Sequence, residues 1–512
     1  MDIKRTIVTP DEMKELENAS QCEGVSLSML MDNAGAVLSD KIISLIIQHN
    51  CSSVVYLCGS GNNGGDGFVS ADIVQKAGYD VCIIMISDTP KSVLAQNAFT
   101  RVSGIKTIYV DDEGLESIIK DDSVVVDCIF GTGFHGKLDD RIKKLFAMLI
   151  KKKCVKVACD IPSGVCSLNG YADESCINFD YTVTFGAVKC GMLVSPGREI
   201  CGKIIIGDIG IPESVYKKVR LNVIHSDNEY VREMIPKRLP LSHKGDFGKL
   251  INISGSECYT GAACLSTLAA LRTGVGICTL ASTKEVINVV GRNILEATFI
   301  PLSSTEDGQI SASEIDRIAE CCNKVNAVLI GCGLGLSDNT RALVYGLLER
   351  LDCTVILDAD GINAILDRIN ILRNTRASII LTPHPGELAR LTKTDTKTVL
   401  QKRLQLASQL SKEYNVVTVA KGSGTFITTP DGKLYVSTTG NAGLSRGGSG
   451  DVLAGMIASF AAQGLSAEKA ACAGTYLHGL SADMVAKRLS MQGMLPSDII
   501  NELPLVFKAI CG

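Results

Sequence analysis

The sequence predicts an α/β protein of two domains, each built on a mainly parallel sheet. Short runs rich in valine and isoleucine alternate with helical patterns along most of the 512 residues, as in sheets covered by helices on both faces. Glycine-rich motifs follow many of these runs, at the place where open α/β sheets bind ligands. The predicted strands are 54–57, 81–86, 124–126, 155–158, 249–253, 327–330, 354–357, 378–381 and 416–420.

The alternation breaks between residues 212 and 244, where charged residues and prolines replace the apolar runs. Such a segment is typical of a domain boundary. We therefore predict an N-terminal domain over 1–215, a linker over 216–235 and a C-terminal domain over 236–512. The two halves carry different motifs and no internal repeat, which indicates a fusion of two enzymes.

Composition narrows the class of partner. The formal net charge is −4, and the sequence has no long run of lysine and arginine with interleaved aromatic residues, which argues against a nucleic-acid partner. No uncharged apolar run approaches the ~20 residues of a membrane span, and the first residues carry no signal-peptide pattern. We therefore expect no membrane association and a cytoplasmic location. The 20 cysteines are scattered without a C-x-x-C pair, so we expect small buried hydrophobic residues in a reducing compartment.

Three predicted strands of the first domain end in polar residues. One leads into the motif GSGNNGGDG, which carries Asn63, and two others end in Asp127 and in Asp160 with Ser163 close behind. Because the carboxyl ends of parallel strands meet at one edge, these oxygens should converge. Such a set suits a hard cation, with one carboxylate left for proton transfer. The alternative is that each aspartate only caps a helix.

The motifs of the first domain together resemble the NAD(P)H-hydrate epimerase domain over roughly the first 215 residues. They are GSGNNGGDG, LMDNAG, DCIFGTGF, DIPSGV and TFGAVKCGMLVSPG, in the expected order. The resemblance implies a Rossmann-like three-layer domain that interconverts the R and S forms of hydrated NADH and NADPH, and it implies a K+ ion. One departure is Asp32, where the family usually has glutamate.

The resemblance also assigns roles to residues of the first domain. Asp160 would be the acid/base, and the potassium ligands would be Asn63, Asp127 and Ser163. The substrate-binding residues would be Asn62, Asn63, Gly64, Gly65, Asp66, Gly131, Thr132, Gly133, Phe134, His135, Gly136 and Lys137.

The stretch RGGSGDVLAG of the second domain, residues 446–455, joins a glycine-rich turn to the start of a helical pattern. Backbone N–H groups at a helix N-terminus bind anions, and such a cradle stabilises a transferring phosphoryl group. Asp451 would then accept the proton of an attacking hydroxyl. Alternatively, Asp451 only complements the helix dipole. The motif KGSGT follows another strand and would hold a nucleotide.

The G-[ST]-G-D pattern is shared by ribokinase-like kinases and alone indicates phosphoryl transfer to a hydroxyl. A wider set resembles the ADP- or ATP-dependent NAD(P)H-hydrate dehydratase over about residues 235–510: HKG, YTGAA, LDAD, TPHPGE, KGSGT and GNAGLSRGGSGD. The resemblance implies a C-terminal ribokinase-like α/β domain. Its reaction couples nucleotide hydrolysis to dehydration of the S-hydrate, which restores NAD(P)H.

This second resemblance implies which residues bind the hydrate and which bind the nucleotide. The hydrate would face Asp451 and Gly335, His384, Pro385, Gly386, Glu387, Leu388, Ala389 and Arg390. The nucleotide would bind Lys421, Gly422, Ser423, Gly424, Thr425, Asn441, Ala442, Gly443, Leu444, Ser445, Arg446, Gly447, Gly448, Ser449 and Gly450. Mg2+ would bridge the phosphates, with Glu387 a candidate ligand, and His384 is alternatively a structural histidine. Cys332 stands where proline is usual, and Arg446 adds positive charge near the phosphates.

We therefore predict a bifunctional enzyme that repairs hydrated nicotinamide nucleotides, with Asp160 and Asp451 as catalytic residues. The expected partners are the hydrates and an adenine nucleotide, in a homo-oligomer. The fused arrangement resembles bacterial members, which implies ADP, although the residues themselves fit ADP or ATP. Two rival interpretations stay open at this point. One is a small-molecule kinase fused to a Rossmann-like binding domain, and the other is a first domain that only binds partners.

Overall fold

A computed structural model describes residues 6–87 and 89–511. The chain divides into two compact units, one up to Ile224 and one from His225. This division falls within the segment predicted as a linker, 216–235. That segment is ordered into secondary structure, because it carries the end of one helix, a short strand and a further helix.

The first unit contains a seven-stranded, fully parallel sheet in the order β4-β3-β2-β5-β6-β7-β9, together with a two-stranded sheet of β1 and β8. The strands are β1 Ile7–Val8, β2 Ser53–Cys58, β3 Val81–Met85, β4 Lys106–Tyr109, β5 Ser123–Cys128, β6 Val155–Cys159, β7 Tyr181–Phe185, β8 Val188–Lys189 and β9 Lys203–Gly207. The α-helices are α1 Pro10–Cys22, α2 Leu27–His49, α3 Asn62–Lys76, α4 Val93–Thr100, α5 Leu115–Ile118, α6 Asp140–Ile150, α7 Gly197–Ile200 and α8 Glu213–Lys218.

The second unit contains a ten-stranded sheet in the order β10-β19-β18-β17-β16-β15-β14-β11-β12-β13. The strands are β10 Val223–His225, β11 Lys249–Ile253, β12 Ile277–Thr283, β13 Thr298–Leu302, β14 Ala327–Ile330, β15 Thr354–Leu357, β16 Ser378–Leu381, β17 Val417–Ala420, β18 Thr425–Thr428 and β19 Leu434–Ser437. The α-helices are α9 Asn228–Met234, α10 Thr260–Thr273, α11 Lys284–Asn293, α12 Ile315–Cys322, α13 Asp338–Leu348, α14 Asp360–Ala364, α15 Ile371–Asn374, α16 Pro385–Leu391, α17 Thr396–Tyr414, α18 Ser449–Ala462, α19 Ala467–Leu489 and α20 Pro496–Cys511.

The predicted strands coincide with observed strands, and the prediction of mainly parallel sheets is confirmed. In the second unit, neighbouring strands pair in parallel in the order β13, β12, β11, β14, β15, β16 and β17. The pairs β17–β18 and β18–β19 are antiparallel. Every residue of β2 and of β5 is buried, because helices cover both faces of the sheet. This two-sided burial explains the continuous apolar runs of the sequence.

The cysteines behave largely as the composition predicts. All 20 are free thiols, and three of them are exposed, Cys22, Cys258 and Cys511. Within 6–87 and 89–511, no helix combines the length and the hydropathy that a membrane span requires.

The close approach of α10 and α18 depends on one glycine of α18. Gly261, in the first turn of α10, is exposed with open space around it. The contact lies at Gly455 of α18, where an added Cβ would sit 2.2 Å from the carbonyl oxygen of Ser266. The two helices therefore meet backbone to backbone at this position, which places the first turn of α18 against the sheet.

Gly455→Ala should destabilise the second unit. The added methyl group overlaps the Ser266 carbonyl, and such overpacking costs about 1–3 kcal/mol. Calorimetry of the full chain would show a lower unfolding temperature for the second unit. Gly261→Ala is the matched control, since it adds the same methyl group to open space and should be neutral or stabilising by up to about 1 kcal/mol. Equal unfolding temperatures for the two variants would contradict the packing described here.

Candidate active sites

A cavity of about 550 Å3 opens at the carboxyl ends of β2, β5 and β6 in the first unit. The predicted site residues that line it are Asn62, Asn63, Asp66, Gly131, Thr132, Gly133, Phe134 and Asp160. Further residues of its wall include Met13, Lys14 and Glu17 of α1, Met31 of α2 and Lys189 of β8. Sequence motifs did not indicate the contribution of α1.

Gly64 and Gly65, predicted to bind substrate, lie in the first turn of α3 and pack closely against neighbouring groups. A Cβ on Gly64 would lie 2.1 Å from the carbonyl oxygen of Gly59, and a Cβ on Gly65 would lie 2.6 Å from the methyl group of Met31. Both glycines are buried and neither lines the cavity. Their role is close packing, which brings Asn62, Asn63 and Asp66 to the opening.

The last three residues of the predicted substrate-binding loop do not line the cavity. His135, Gly136 and Lys137 are exposed and lie outside the cavity wall, whereas Gly131 to Phe134 belong to it. The loop turns away after Phe134, whose ring packs at 5.2 Å from that of Phe130.

Asp127 and Ser163, predicted as cation ligands, form one hydrogen-bonded group beneath the cavity. The backbone N–H of Ser163 donates to Oδ2 of Asp127 at 2.8 Å, and its hydroxyl donates to Oδ1 at 2.7 Å. Both residues are fully buried. Burial raises the pKa of Asp127 to about 6, although the bonds from Ser163 oppose this rise.

Asn63 supplies the third predicted ligand and has buried polar atoms without partners. It is 8% exposed, and neither Oδ1 nor Nδ2 makes a hydrogen bond. An unpaired buried amide is costly, and a cation bound to Oδ1 would offset that cost. The amide, carboxylate and hydroxyl oxygens form an all-oxygen donor set that fits a hard cation.

Asp160 is held by a buried lysine to which motif analysis assigns no role, although it stands in the motif TFGAVKCGMLVSPG. The ammonium group of Lys189, whose side chain is 1% exposed, forms a short ion pair with Oδ1 of Asp160. The same group donates to Oγ1 of Thr184 at 2.9 Å and to the carbonyl oxygen of Phe185 at 3.0 Å. The only sequence signal was one lysine within an otherwise apolar stretch.

The backbone of Asp160 is also unusual, because its φ angle is +65°. Residues other than glycine rarely adopt this left-handed conformation, and such strain is concentrated at functional sites. The backbone N–H of Asp160 donates to the carbonyl oxygen of Val183 at 2.7 Å. Backbone and ion pair together fix the direction of the carboxylate.

The negative charge of Asp160 acts on two other carboxyl groups of this cavity wall. Burial and the charge of Asp160 raise the pKa of Glu17. The same two causes raise the pKa of Asp66 well above its ordinary value. Lys189 opposes both shifts. The cavity therefore combines several carboxyl groups with one buried cation, an arrangement suited to proton transfer.

A second cavity, of about 680 Å3, opens at the carboxyl ends of the parallel strands in the second unit. The predicted residues in its wall are His384, Pro385, Glu387, Lys421, Gly422, Ser423, Gly424, Thr425, Asn441, Ala442, Leu444, Ser445, Arg446, Gly447, Gly448, Ser449, Gly450 and Asp451. Asp358, Thr475 and His478 belong to the same wall and were not predicted.

The start of α18 forms one end of this cavity. Gly448 precedes the helix with a φ angle of +97°, and Ser449, Gly450 and Asp451 form its first turn. The N–H groups of a first turn have no partner within the helix and bind anions. The hydroxyl of Ser449 and Nε2 of His478 are also buried without hydrogen-bond partners. Burial lowers the pKa of His478 to about 4, so its ring is neutral near pH 7.

Asp358 and Lys421 form a buried ion pair beside Asp451. Nζ of Lys421 lies 3.0 Å from Oδ1 of Asp358, which also accepts a hydrogen bond of 2.6 Å from Thr382. Burial opposes protonation of Lys421, yet Asp358 and Glu387 raise its pKa. Burial, together with the charge of Asp358, raises the pKa of Asp451 to about 6.

The KGSGT loop is fixed by a buried arginine from α17. Nη2 of Arg403 donates to the carbonyl oxygen of Gly424 at 2.6 Å, and Nη1 donates to that of Lys421 at 3.4 Å. An added Cβ on Gly422 would overlap Nη1 of Arg403. Arg403 lies far from the loop in sequence and belongs to no motif, so sequence analysis did not find it.

Several residues predicted to face the hydrate make hydrogen bonds within the protein. Arg390 donates to Oδ1 of Asn363 at 2.9 Å, and Gly335 donates its N–H to Oδ2 of Asp360 at 2.8 Å. The predicted residues outside this cavity wall are Gly335, Gly386, Leu388, Ala389, Arg390 and Gly443.

His384 combines the two roles considered for it. Its Nδ1 accepts a hydrogen bond of 3.0 Å from the N–H of Gly386, which caps α16. The ring also belongs to the cavity wall. Burial raises the pKa of Glu387, which completes this cap through the N–H of His384, to about 7. Arg446 lies at the cavity, but its guanidinium donates to the carbonyl oxygen of Gln492.

Comparison with known proteins supports the division of the chain into two units. The family model described as YjeF-related protein N-terminus matches residues 27–191, and that described as NAD(P)H-hydrate dehydratase matches residues 250–505. The bifunctional NAD(P)H-hydrate repair enzyme Nnr of Thermofilum pendens is 34% identical, over 98% of this chain and 95% of its own length. The enzyme of that name from Moorella thermoacetica is 33% identical, over 98% of this chain and 96% of its own.

A solved structure extends the agreement to the fold of the second unit. The ADP/ATP-dependent NAD(P)H-hydrate dehydratase of Bacillus subtilis, co-crystallised with ATP and Mg2+, is 31% identical with a TM-score of 0.50. The match covers 57% of this chain and 100% of that chain. The fold and sites define a two-site enzyme that joins a Rossmann-like unit to a ribokinase-like unit. The chain belongs to the family of bifunctional NAD(P)H-hydrate repair enzymes.

Proposed function

We propose that the chain restores hydrated NADH and NADPH in two reactions, with Asp160 and Asp451 as their proton-transfer groups. The first site epimerises the R and S hydrates, and the second dehydrates the S form with ADP as phosphoryl donor. The observation that supports this most directly is the position of Asp451. It lies in the first turn of α18, within a cavity wall that also carries a glycine-rich cradle and Lys421.

In the first reaction, Asp160 protonates the hydroxyl group so that water leaves the hydrated carbon, and the lone pair of the ring nitrogen stabilises the cation that remains. Water then adds to the opposite face of that carbon, and Asp160 takes back the proton. Lys189 keeps the carboxylate in one orientation through the short ion pair. Asn62, Asp66 and the segment from Gly131 to Phe134 hold the nucleotide in the cavity. K+ would bind to Asn63, Asp127 and Ser163, where it would supply positive charge for the substrate phosphates.

In the second reaction, Asp451 takes the proton of the hydrate's hydroxyl as that oxygen attacks the terminal phosphate. Hydroxide is a poor leaving group and phosphate is a good one, so the phosphorylated carbon then loses phosphate together with its oxygen. The neighbouring carbon loses a proton to the solvent, which restores the double bond. The N–H groups at the start of α18 stabilise the charge on the transferring group. Mg2+ would neutralise the phosphates near Glu387, whose carboxylate belongs to the cavity wall.

Mixing the full chain with hydrated NADPH, Mg2+ and either ADP or ATP tests the whole proposal. Absorbance of the reduced nicotinamide should recover, and faster with ADP. Recovery with neither nucleotide would overturn the proposed function. A small-molecule kinase would instead accumulate a stable phosphorylated product, which phosphorus NMR would detect.

Asp160→Asn should lower the rate of epimerisation by about 10²–10⁴-fold, because a general acid/base contributes that much to a rate. Epimerisation is measured by chiral separation of the hydrates. Dehydration of the pure S-hydrate serves as the internal control and should stay at the wild-type rate. Wild-type epimerisation by Asp160→Asn would remove Asp160 from this role.

K+ should raise the unfolding temperature of the first unit relative to tetramethylammonium, which is too large for the site. A ligand that binds only the folded state adds about 2.7 kcal/mol when present at about 100 times its Kd. Asn63→Ala should abolish this difference. The matched control is Asn62→Ala, which changes a neighbouring exposed amide and should keep the response to K+. An unfolding temperature that is independent of the cation would contradict the assignment.

The dehydration rate should fall as the pH drops through about 6. Burial raises the pKa of Asp451 to about 6, and the protonated carboxyl group cannot accept the hydroxyl proton. Initial rates with saturating nucleotide between pH 5 and 8 would show this acid limb, and Asp451→Asn should lower the maximal rate by about 10²–10⁴-fold. Glu387→Gln should retain the limb near pH 6, even at a lower maximal rate. A limb that disappears in Glu387→Gln would assign the titration to Glu387.

A further inference from the structure

Three potential metal ligands lie together at the inner end of the second cavity. Sγ of Cys332 is 3.8 Å from Oδ2 of Asp358. One ligand atom of Cys332, one of Asp358 and one of Asp451 all lie within 4.8 Å of one another. Within the described parts of the chain, this is the one such group of histidine, cysteine and carboxylate side chains.

The two oxygens of Asp358 have different surroundings. Oδ1 accepts from Thr382 at 2.6 Å and from Lys421 at 3.0 Å. Oδ2 faces the thiol of Cys332 instead. The ion pair with Lys421 therefore leaves one oxygen of Asp358 directed at Cys332. With Cys332 ionised, the negative charges of two carboxylates and one thiolate would also exceed the single positive charge of Lys421, so the group would attract a cation.

Access to the group is open from one side only. Asp358 and Asp451 belong to the cavity wall, whereas Cys332 is completely buried behind them. A cation that enters the cavity meets the two carboxylates first and the sulfur atom last. Sulfur selects against Mg2+ and K+, which prefer oxygen ligands, and favours Zn2+ and similar thiophilic ions.

We propose that Cys332, Asp358 and Asp451 bind a thiophilic divalent cation, such as Zn2+ or Cd2+, and that this cation inhibits the second reaction. On binding, the S–H bond of Cys332 breaks, its proton passes to the solvent and a metal–sulfur bond forms. The cation coordinates the carboxylate of Asp451 and neutralises its charge, so the carboxylate becomes a much weaker base toward the hydroxyl proton. A chain with proline in place of Cys332 lacks the sulfur ligand.

Titration of the full chain with Cd2+ tests binding without any dependence on catalysis. The charge-transfer absorbance of the cadmium–thiolate bond reports each thiolate ligand, and the other cysteines contribute a constant background. Cys332→Ser and Cys332→Ala should each lose the signal of one thiolate per chain. The matched control is Cys278→Ser, because Cys278 is equally buried in β12 and burial is the one cause of its raised pKa. Identical titration curves for wild type, Cys332→Ser and Cys332→Ala would overturn the proposal.

Inhibition by Zn2+ gives the second test. Dehydration by the wild type should be inhibited, while epimerisation by the same sample continues. Loss of a direct ligand should raise the Zn2+ concentration for half-inhibition at least as much as the roughly 10-fold loss that outer-shell changes cause. Each variant is compared with its own rate without Zn2+. Equal sensitivity of Cys332→Ser and wild type would show that Zn2+ acts elsewhere.

Discussion

Both sites depend on one constraint, which is that neighbouring strands of each sheet run in the same direction. Parallel strands deliver their carboxyl ends to one edge, and the loops that follow them meet there. In the first unit, β2, β5 and β6 bring together Asn63, Asp127 and Asp160, which are far apart in sequence. In the second unit, β14, β15, β16 and β17 do the same for Cys332, Asp358, His384 and Lys421. A sheet with alternating directions would send these groups to opposite edges.

In each site, an aspartate and a lysine form an ion pair, so that each charge offsets the other. Lys189 pairs with Asp160 in the first unit, and Lys421 pairs with Asp358 in the second. An unpaired charge at such depth is very costly, whereas a paired and hydrogen-bonded one is tolerated. The pairs differ in use: Asp160 is itself the proposed proton carrier, while Asp358 raises the pKa of the neighbouring Asp451. The same device thus orients one reactive carboxylate and tunes another.

The sequence predicted the fold well because two-sided burial leaves a strong signal. Fully buried strands such as β2 and β14 are continuous apolar runs, and polar residues at their ends stand out. Lys189, Arg403 and His478 carry no such signal, because their importance comes from positions that arise only in the folded chain. Glycine motifs carry a second signal besides ligand binding. Gly64, Gly65 and Gly335 share motifs with the site and also make close packing contacts or backbone hydrogen bonds there.

The segment predicted as a linker has a consequence for shortened forms of the chain. The N–H of Ser226 donates to the carbonyl oxygen of Val436 in β19 at 3.1 Å, the ring of Tyr230 lies 6.1 Å from that of Tyr435, and Val231 is completely buried. A chain that begins at residue 236 would lack all three contacts and would expose the backbone of β19. Unpaired sheet edges recruit strands from other molecules. The dehydratase unit produced alone should therefore retain β10 and α9 to avoid aggregation.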